Sequence, residues 1–147
     1  MATVIDAAKY ILAKKGKMTS MKLEKLVYYA QAWSLAWDEE PLFDEDFEAW
    51  ANGPVCPELF KVHKGVFTLN NGFFGEYDET VFTDEQKKTL EAVLEGYGDN
   101  APHELSEFTH AELPWKQARG GTPPGYMCKN VIEKEAMRDF YAGLYKA

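Results

Sequence analysis

A cysteine and a histidine flank a short segment that could carry nucleophilic chemistry. Cys56, in "NGPVCPELF", lies where a helix would begin, and His63 follows seven residues later. A thiol at a helix N-terminus can have a lowered pKa, because free N–H groups and the helix dipole stabilise the thiolate. A thiol hydrolase also needs a base within hydrogen-bond distance of the sulfur. The spacing places His63 near the far end of the helix, so we interpret Cys56 as a small buried residue before Pro57. A hydrolase using Cys56 and His63 is kept as an alternative.

Five residues could ligate a metal, but their spacing is unlike that of a zinc site. They are Cys56, His63, His103, His110 and Cys128. Zinc sites usually contain pairs of ligands about two to five residues apart, and no two of these five are so close. We therefore expect no metal site and no cofactor. In "THAELPW", we expect His110 to bind its ring to backbone near a helix start and to orient Pro114 and Trp115.

The composition indicates an acidic globular protein. A chain of 147 residues with 46% hydrophobic residues can bury a core of its own. The net charge of -8 argues against a nucleic-acid partner, since such binding requires Lys and Arg to neutralise phosphates, and it suits a basic protein partner. No apolar run approaches the roughly 18 residues of a membrane helix, so we expect no membrane contact. Two cysteines without a signal-like N-terminus predict a cytoplasmic protein with reduced thiols.

Capping residues and apolar periodicity predict a mainly α, compact fold of one domain, residues 1–147, around a central buried helix. This helix begins at Thr19 or Ser20 and covers about residues 19–37; it is apolar over most of its circumference, which is typical of a helix packed on several sides. Further helices are predicted from the Thr3 cap to Gly16, from Pro57 to about Lys64, from Thr83 to Gly98, around 102–108, from Pro114 to Gly120 and through Ala136–Tyr145.

The predicted β-structure is a short hairpin at about residues 42–50. Its strands are "PLF" and "FEAWA", and Asp44 to Asp46 form an acidic turn between them. Asn52-Gly53-Pro54 would end the hairpin and lead the chain into the helix that begins at Pro57. Residues 66–82 allow two interpretations, a small hairpin turning at Asn71-Gly72 or an aromatic-rich loop.

Three stretches carry a resemblance to a known family: "MKLEKLVYYAQAWSLAW", "PLFDEDFEAWANGPVCPELF" and "LSEFTHAELPWKQAR". Together, in this order, they resemble the Panacea domain antitoxins, which include SocA-like and phage-associated proteins. The residues that match the family's motifs are Lys22, Leu23, Lys25, Leu26, Tyr28, Tyr29, Trp50, Gly53, Pro54, Val55, Pro57, Thr109, His110, Pro114 and Trp115. Two departures are Asn52, where an aromatic residue is frequent, and Cys56, which is not a motif residue.

The resemblance implies a non-catalytic antitoxin that binds and neutralises a cognate toxin encoded nearby. It also implies that the motif residues form a shared scaffold, while the toxins differ across the family. Two alternatives remain, an adaptor that delivers its toxin to a AAA+ protease and a phage-associated binder of a host protein. Exposed aromatic residues on irregular segments favour protein interfaces. On that basis we predict a toxin-binding surface that comprises Phe73, Phe74, Tyr77, Tyr126 and Met127. For Phe73, Phe74 and Tyr77 the alternative is that they fold back to cover the core, which the need of a small domain to bury apolar surface favours.

Overall fold

A computed structural model describes residues 2–146; Met1 and Ala147, the outermost residues of the expected domain, lie outside the described residues. Within that range the helices are α1 Val4–Lys15, α2 Ser20–Asp38, α3 Pro57–His63, α4 Asp84–Tyr97, α5 Pro102–Ala111, α6 Leu113–Arg119 and α7 Lys134–Lys146. The strands are β1 Met18–Thr19, β2 Phe47–Trp50, β3 Gly53–Val55, β4 Thr68–Leu69 and β5 Val131–Ile132. The prediction of a mainly helical fold is confirmed.

The predicted helix ends are formed by local capping interactions. Thr3 and Asp6 form a capping box at the start of α1, and the Gly16 N–H donates to the Leu12 carbonyl at its end. Thr83 and Gln86 form a second capping box at α4. Each box satisfies backbone N–H groups that a helix start leaves unpaired, which explains why these boundaries are readable from short stretches of sequence.

Helix α2 is the centre of the core, as predicted. It contacts α1, α4, α5, α7 and strand β3. Leu23, Leu26, Tyr28 and Tyr29 are all 0% exposed. Burying each such side chain stabilises the fold by about 1.5–3 kcal/mol relative to leaving it exposed, so α2 contributes much of the hydrophobic stability.

The predicted hairpin at residues 42–50 is wrong in its position. The observed hairpin joins β2 to β3, with Ala49 opposite Pro54 and Trp50 opposite Gly53. Pro54 fits a strand here because β3 is an edge strand. The Pro54 carbonyl accepts a hydrogen bond from Lys25 and not from β2. The position of its backbone nitrogen is likewise on the side away from β2, so the hairpin loses no hydrogen bond because proline lacks an N–H.

The segment predicted as the first hairpin strand, "PLF", is instead fastened to α2 by one amide side chain. Gln31 accepts a hydrogen bond from the Leu42 N–H and donates one to the Phe43 carbonyl, both at 2.8 Å. Gln31 is 1% exposed, and these two bonds satisfy its buried amide. The backbone of residues 42 and 43 is therefore paired with a helix side chain and does not need a neighbouring strand.

Residues 66–82 form a loop apart from the two residues of β4. This strand pairs with β1, with Met18 opposite Leu69, so Asn71-Gly72 does not turn a hairpin. Strand β5 adds to β2 on the side away from β3, with Phe47 opposite Ile132. The sequence prediction did not include β1, β4 or β5.

Candidate functional site

Residues from the three family-like stretches meet at the β2–β3 turn. The Lys25 Nζ is buried with its side chain and donates to the Pro54 carbonyl at 3.0 Å. Gly53 has a φ of +119°, and a Cβ there would lie 2.6 Å from Lys25 Cε and 2.9 Å from Thr109 Oγ1. Glycine is required at this position both by its backbone conformation and by the two side chains packed on it.

The same hairpin is held from the other side by α6. The Trp115 indole N–H donates to the Trp50 carbonyl at 2.9 Å. The His110 ring stacks on Trp115, with ring centroids 4.2 Å apart, and contacts the backbone of Ala51 and Asn52. Burial lowers the pKa of His110, so this imidazole is neutral at pH 7. The stacking agrees with the prediction that His110 orients Trp115, whereas the buried Nε2 of the ring has no hydrogen-bond partner within residues 2–146, so this nitrogen does not make the predicted bond to backbone.

The remaining motif residues belong to the helices around this hairpin. Leu23, Leu26, Tyr28 and Tyr29 are buried in α2, Lys22 is half-buried at its start, Val55 is buried in β3, Pro57 begins α3 and Pro114 is buried in α6. The motif residues therefore lie on six elements, α2, β2, β3, α3, α5 and α6, and those of α2, α5 and α6 contact the β2–β3 hairpin. This arrangement is what a scaffold requires.

Cys56 and His63 are joined through a third residue, Glu24. The Cys56 backbone N–H donates to Glu24 Oε1 at 2.9 Å, and His63 Nε2 lies 2.6 Å from Glu24 Oε2. All three residues are at least 97% buried. Burial raises the pKa of the Cys56 thiol to about 12, opposite to the direction a nucleophile needs. The helix N-terminus thus holds a protonated thiol, and the histidine nitrogen is engaged by a carboxylate.

A cavity of about 220 Å³ opens between α2, α3 and the β2–β3 hairpin. We call it the Trp50 cavity. Its apolar walls are Met21, Trp50, Val55, Phe60 and Met127. The buried polar side chains of Glu24, Lys25 and His63 also line it, so the cavity has an apolar rim and a polar floor.

One arginine attaches the loop after α6 to the hairpin. Arg119 is 4% exposed and donates to the carbonyls of Ala49, Pro123 and Tyr126 at 2.9, 2.9 and 2.7 Å. Its guanidinium also lies over the Trp115 ring, 4.8 Å from the centroid. These bonds hold the loop that carries Met127 at the edge of the Trp50 cavity.

A family model described as "Antitoxin SocA-like, Panacea domain" matches residues 23–116. This range is more than half of the chain and includes every predicted motif residue except Lys22. The chain belongs to the SocA-like Panacea domain antitoxin family. No curated protein and no solved structure matches the chain.

The five residues predicted to bind a toxin lie in two separate places on this Panacea domain. Tyr126 and Met127 are 66% and 56% exposed, and Met127 lines the Trp50 cavity. Phe73 is exposed on the loop before α4, whereas Phe74 and Tyr77 pack partly against the core. The Tyr77 ring lies 5.2 Å from the ring of Tyr10 in α1. The predicted residues therefore belong to two loops, the one before α4 and the one after α6.

Sequence reasoning missed two residues that organise the site, Glu24 and Arg119. Glu24 was not singled out, and its position beside Lys25 in the first family-like stretch was the one available signal. Arg119 is the last residue of the third family-like stretch, but it is not one of the matched motif residues, and a basic residue near a helix end is common. Across residues 2–146 we find no group of three or more His, Cys, Asp or Glu residues placed to hold a metal. No helix in this part of the chain is long and apolar enough to cross a membrane.

Proposed function

We propose that residues 1–147 form one antitoxin domain that neutralises a cognate toxin, encoded nearby, by direct protein–protein binding in the cytoplasm. The observation that carries this proposal is the match to the SocA-like antitoxin family over residues 23–116. The buried thiol of Cys56, with its raised pKa, supports a binding function over thiol hydrolysis. The net charge of -8 favours a toxin with a basic contact surface.

The contacts of the motif residues support a division between scaffold and binding surface. Lys25, Gly53 and Thr109 contact each other in the interior, where they maintain the hairpin. Tyr126 and Met127, in contrast, expose most of their apolar surface to solvent on the loop held by Arg119. Exposed aromatic and methionine side chains of this kind are enriched at protein interfaces. We assign toxin contact to this loop and to the segment of Phe73, Phe74 and Tyr77.

A growth assay tests the proposed function. The reading frame next to this gene is induced in a host cell with and without this protein, and colonies are counted. We expect the neighbour alone to stop growth and co-expression to restore it, with both proteins co-purifying. A neighbour that is harmless, or that stops growth regardless, contradicts the proposal.

The fate of the toxin in rescued cells separates blocking from delivery to a AAA+ protease. Blocking leaves the toxin at its full level in a complex with the antitoxin. Delivery lowers the toxin level and fails in a host that lacks the protease. We expect a stable complex at full toxin level, because the proposal is based on direct binding.

A combined alanine variant tests the binding surface. Replacing Phe73, Phe74, Tyr77, Tyr126 and Met127 by alanine is expected to abolish co-purification with the toxin. Because Phe74 and Tyr77 also pack on the core, variants of each segment are compared separately and their folding is checked by circular dichroism. Unchanged toxin binding by both folded segment variants would remove these residues from the interface.

A further inference from the structure

We propose that the Trp50 cavity receives one aromatic side chain of the toxin that also carries a hydrogen-bond acceptor, of which tyrosine is the best example. This inference rests on the proposed antitoxin function and names the position at which the toxin is anchored. The proposal follows from the size of the cavity, its walls, its floor and the exposed residues at its mouth.

The size of the cavity fits a single side chain. Its volume is about 220 Å³. Pockets for drug-sized molecules begin at roughly 300 Å³, whereas an apolar cavity of about 150 Å³ holds one benzene ring. The Trp50 cavity therefore has room for one ring with a small substituent.

The walls of the cavity favour an aromatic occupant. The Trp50 and Phe60 rings lie edge to face, with centroids 5.0 Å apart. Met21 and Met127 face the same space, and methionine sulfur makes favourable contacts with aromatic rings. A third ring that enters the cavity would gain contacts with both aromatic rings and methionine sulfurs.

The floor of the cavity contains the Lys25 ammonium, a donor that favours an occupant with a hydrogen-bond acceptor. The Lys25 ammonium has three N–H donors. Within residues 2–146 it donates to one protein acceptor, the Pro54 carbonyl, so it can donate to a further acceptor. Both Glu24 oxygens, in contrast, are engaged by Cys56 and His63. Burial lowers the Lys25 pKa to about 8, so the ammonium form predominates at pH 7. A phenolic oxygen would supply a further acceptor for this ammonium, which a lysine or arginine tip cannot do because it carries only donors.

The mouth of the cavity is surrounded by exposed apolar side chains. Met21 and Met127 are 37% and 56% exposed. Ser20 also lines the cavity, and its backbone N–H donates to the Phe67 carbonyl. The Phe67 residue is 74% exposed. Interfaces commonly place a buried anchor residue inside a ring of contacts that exclude water. Met21 and Met127 at the rim of the Trp50 cavity would form part of such a ring around a bound anchor.

Binding of p-cresol, the side-chain analogue of tyrosine, tests the cavity without a toxin. At pH 7 we expect p-cresol to shift the NMR signals of the Trp50 indole N–H and of the Met21 and Met127 methyl groups. Lys25→Met should weaken p-cresol binding about tenfold, since it removes a charged donor, and leave toluene binding within about twofold. Absence of these shifts in the wild type, or equal weakening of both probes, would overturn the proposal.

A matched pair of valine substitutions tests the cavity against the toxin. Val55→Phe places ring atoms in the cavity, whereas Val62→Phe makes the same change at a residue of α3 that is 50% exposed and does not line it. We expect Val55→Phe to lose growth rescue and Val62→Phe to retain it. Full rescue by a folded Val55→Phe variant would show that the toxin does not enter the cavity.

A second variant and the wild-type control distinguish a failure of the cavity proposal from a failure of the antitoxin function. Should Val55→Phe fail to fold, Met127→Glu introduces a charge at the exposed mouth and is expected to abolish rescue in its place; full rescue by Met127→Glu overturns the proposal. If the wild-type protein itself does not rescue growth, the proposed antitoxin function is wrong, and the proposal that a toxin occupies the cavity is wrong as well. The p-cresol and toluene measurements then show separately whether the cavity binds a ring with an acceptor.

Discussion

At Gly53 two separate constraints act on one residue. Its φ of +119° is rarely adopted by residues with a side chain, and Lys25 and Thr109 occupy the space of a Cβ. Gly72 has a φ of +91° and open space where a Cβ would lie. A substitution there therefore measures the cost of the backbone conformation without a steric clash. We expect Gly72→Ala to lower the free energy of unfolding by about 1 kcal/mol and Gly53→Ala by about 3 kcal/mol or more. Urea unfolding of both variants measures the difference; equal losses would mean that the Lys25 side chain moves aside without cost.

The buried ammonium of Lys25 predicts a dependence of stability on pH. Burial lowers its folded-state pKa to about 8 from about 10.5 in the unfolded chain. Between these values the unfolded state binds more protons, so the free energy of unfolding rises with pH. We expect the wild type to gain stability relative to Lys25→Met from pH 8 to pH 10, measured by urea unfolding. A constant difference between the two proteins over this range would mean that the Lys25 pKa is unshifted.

At the scale of elements, Glu112 connects α2 and α7 to the junction of α5 and α6. Its Oε1 accepts hydrogen bonds from the Tyr29 and Tyr141 hydroxyls at 2.7 and 2.8 Å. We expect Glu112→Ala to lower the free energy of unfolding by about 2–4 kcal/mol, since it leaves two buried hydroxyls without that acceptor. Glu112→Gln keeps the acceptor and is the matched control; similar losses in both variants would contradict this role.

The carboxyl of Glu112 also has a predicted pH dependence. Burial raises its pKa, with the hydrogen bonds from Tyr29 and Tyr141 acting in the opposite direction. A raised folded-state pKa means that its contribution to stability is fully present below the unfolded-state pKa and is lost as pH rises through the folded-state pKa. Glu112→Gln does not ionise, so its stability relative to the wild type should be greater at pH 7 than at pH 4. Chemical unfolding at the two pH values measures this, and an unchanged difference would count against the shift.

Arg119 is predicted to order the loop between α6 and β5. Its guanidinium bonds the carbonyls of Pro123 and Tyr126 in that loop and of Ala49 in the sheet. We expect Arg119→Met to increase amide hydrogen exchange in residues 120–130 at least tenfold while α2 stays protected. Arg138→Met, which removes an exposed guanidinium from α7, serves as the control and should leave that loop unchanged. Equal exchange in both variants would show that the loop is held by other contacts.

The elements differ in how far their sequence predicts them. The boundaries of α1 and α4 depend on caps such as Thr3 and Thr83, whose partners lie three residues away, and these were predicted. Strands β1, β4 and β5 have two residues each and form only because distant segments pair, so no local pattern marks them. The hairpin was placed too early because Pro54 was interpreted as a strand terminator, whereas the structure places it on an edge facing Lys25.

The candidate site was predictable in its chemistry and not in its geometry. Sequence reasoning correctly treated Cys56 as buried, since a proline follows it and no base is near in sequence. It could not place Glu24 between Cys56 and His63, because that contact joins residues 32 and 39 positions apart. The Trp50 cavity likewise forms from three elements and one loop, so it exists only in the folded chain.

At the scale of the whole molecule, Cys56 reports on opening of the fold. It is 0% exposed and its thiol pKa is raised by burial to about 12. We expect iodoacetamide to modify it at pH 7.5 at least about 1,000-fold more slowly than a free cysteine, with fast modification in urea. Mass spectrometry resolves Cys56 from Cys128, and Cys56→Ala gives the rate of Cys128 alone. Rapid modification of Cys56 in the native protein would contradict this prediction and support the alternative of a thiol hydrolase.

The positions of the four tryptophans provide an optical signal for partner binding. Trp50 lines the cavity and Trp115 donates to its carbonyl, whereas Trp33 and Trp37 contact each other on α2 with ring centroids 4.8 Å apart. Replacing Trp33 and Trp37 by phenylalanine would confine the tryptophan emission to Trp50 and Trp115 beside the hairpin. An occupant of the cavity would then change the emission of the unlabelled protein, and titrations with a toxin could be followed directly in solution.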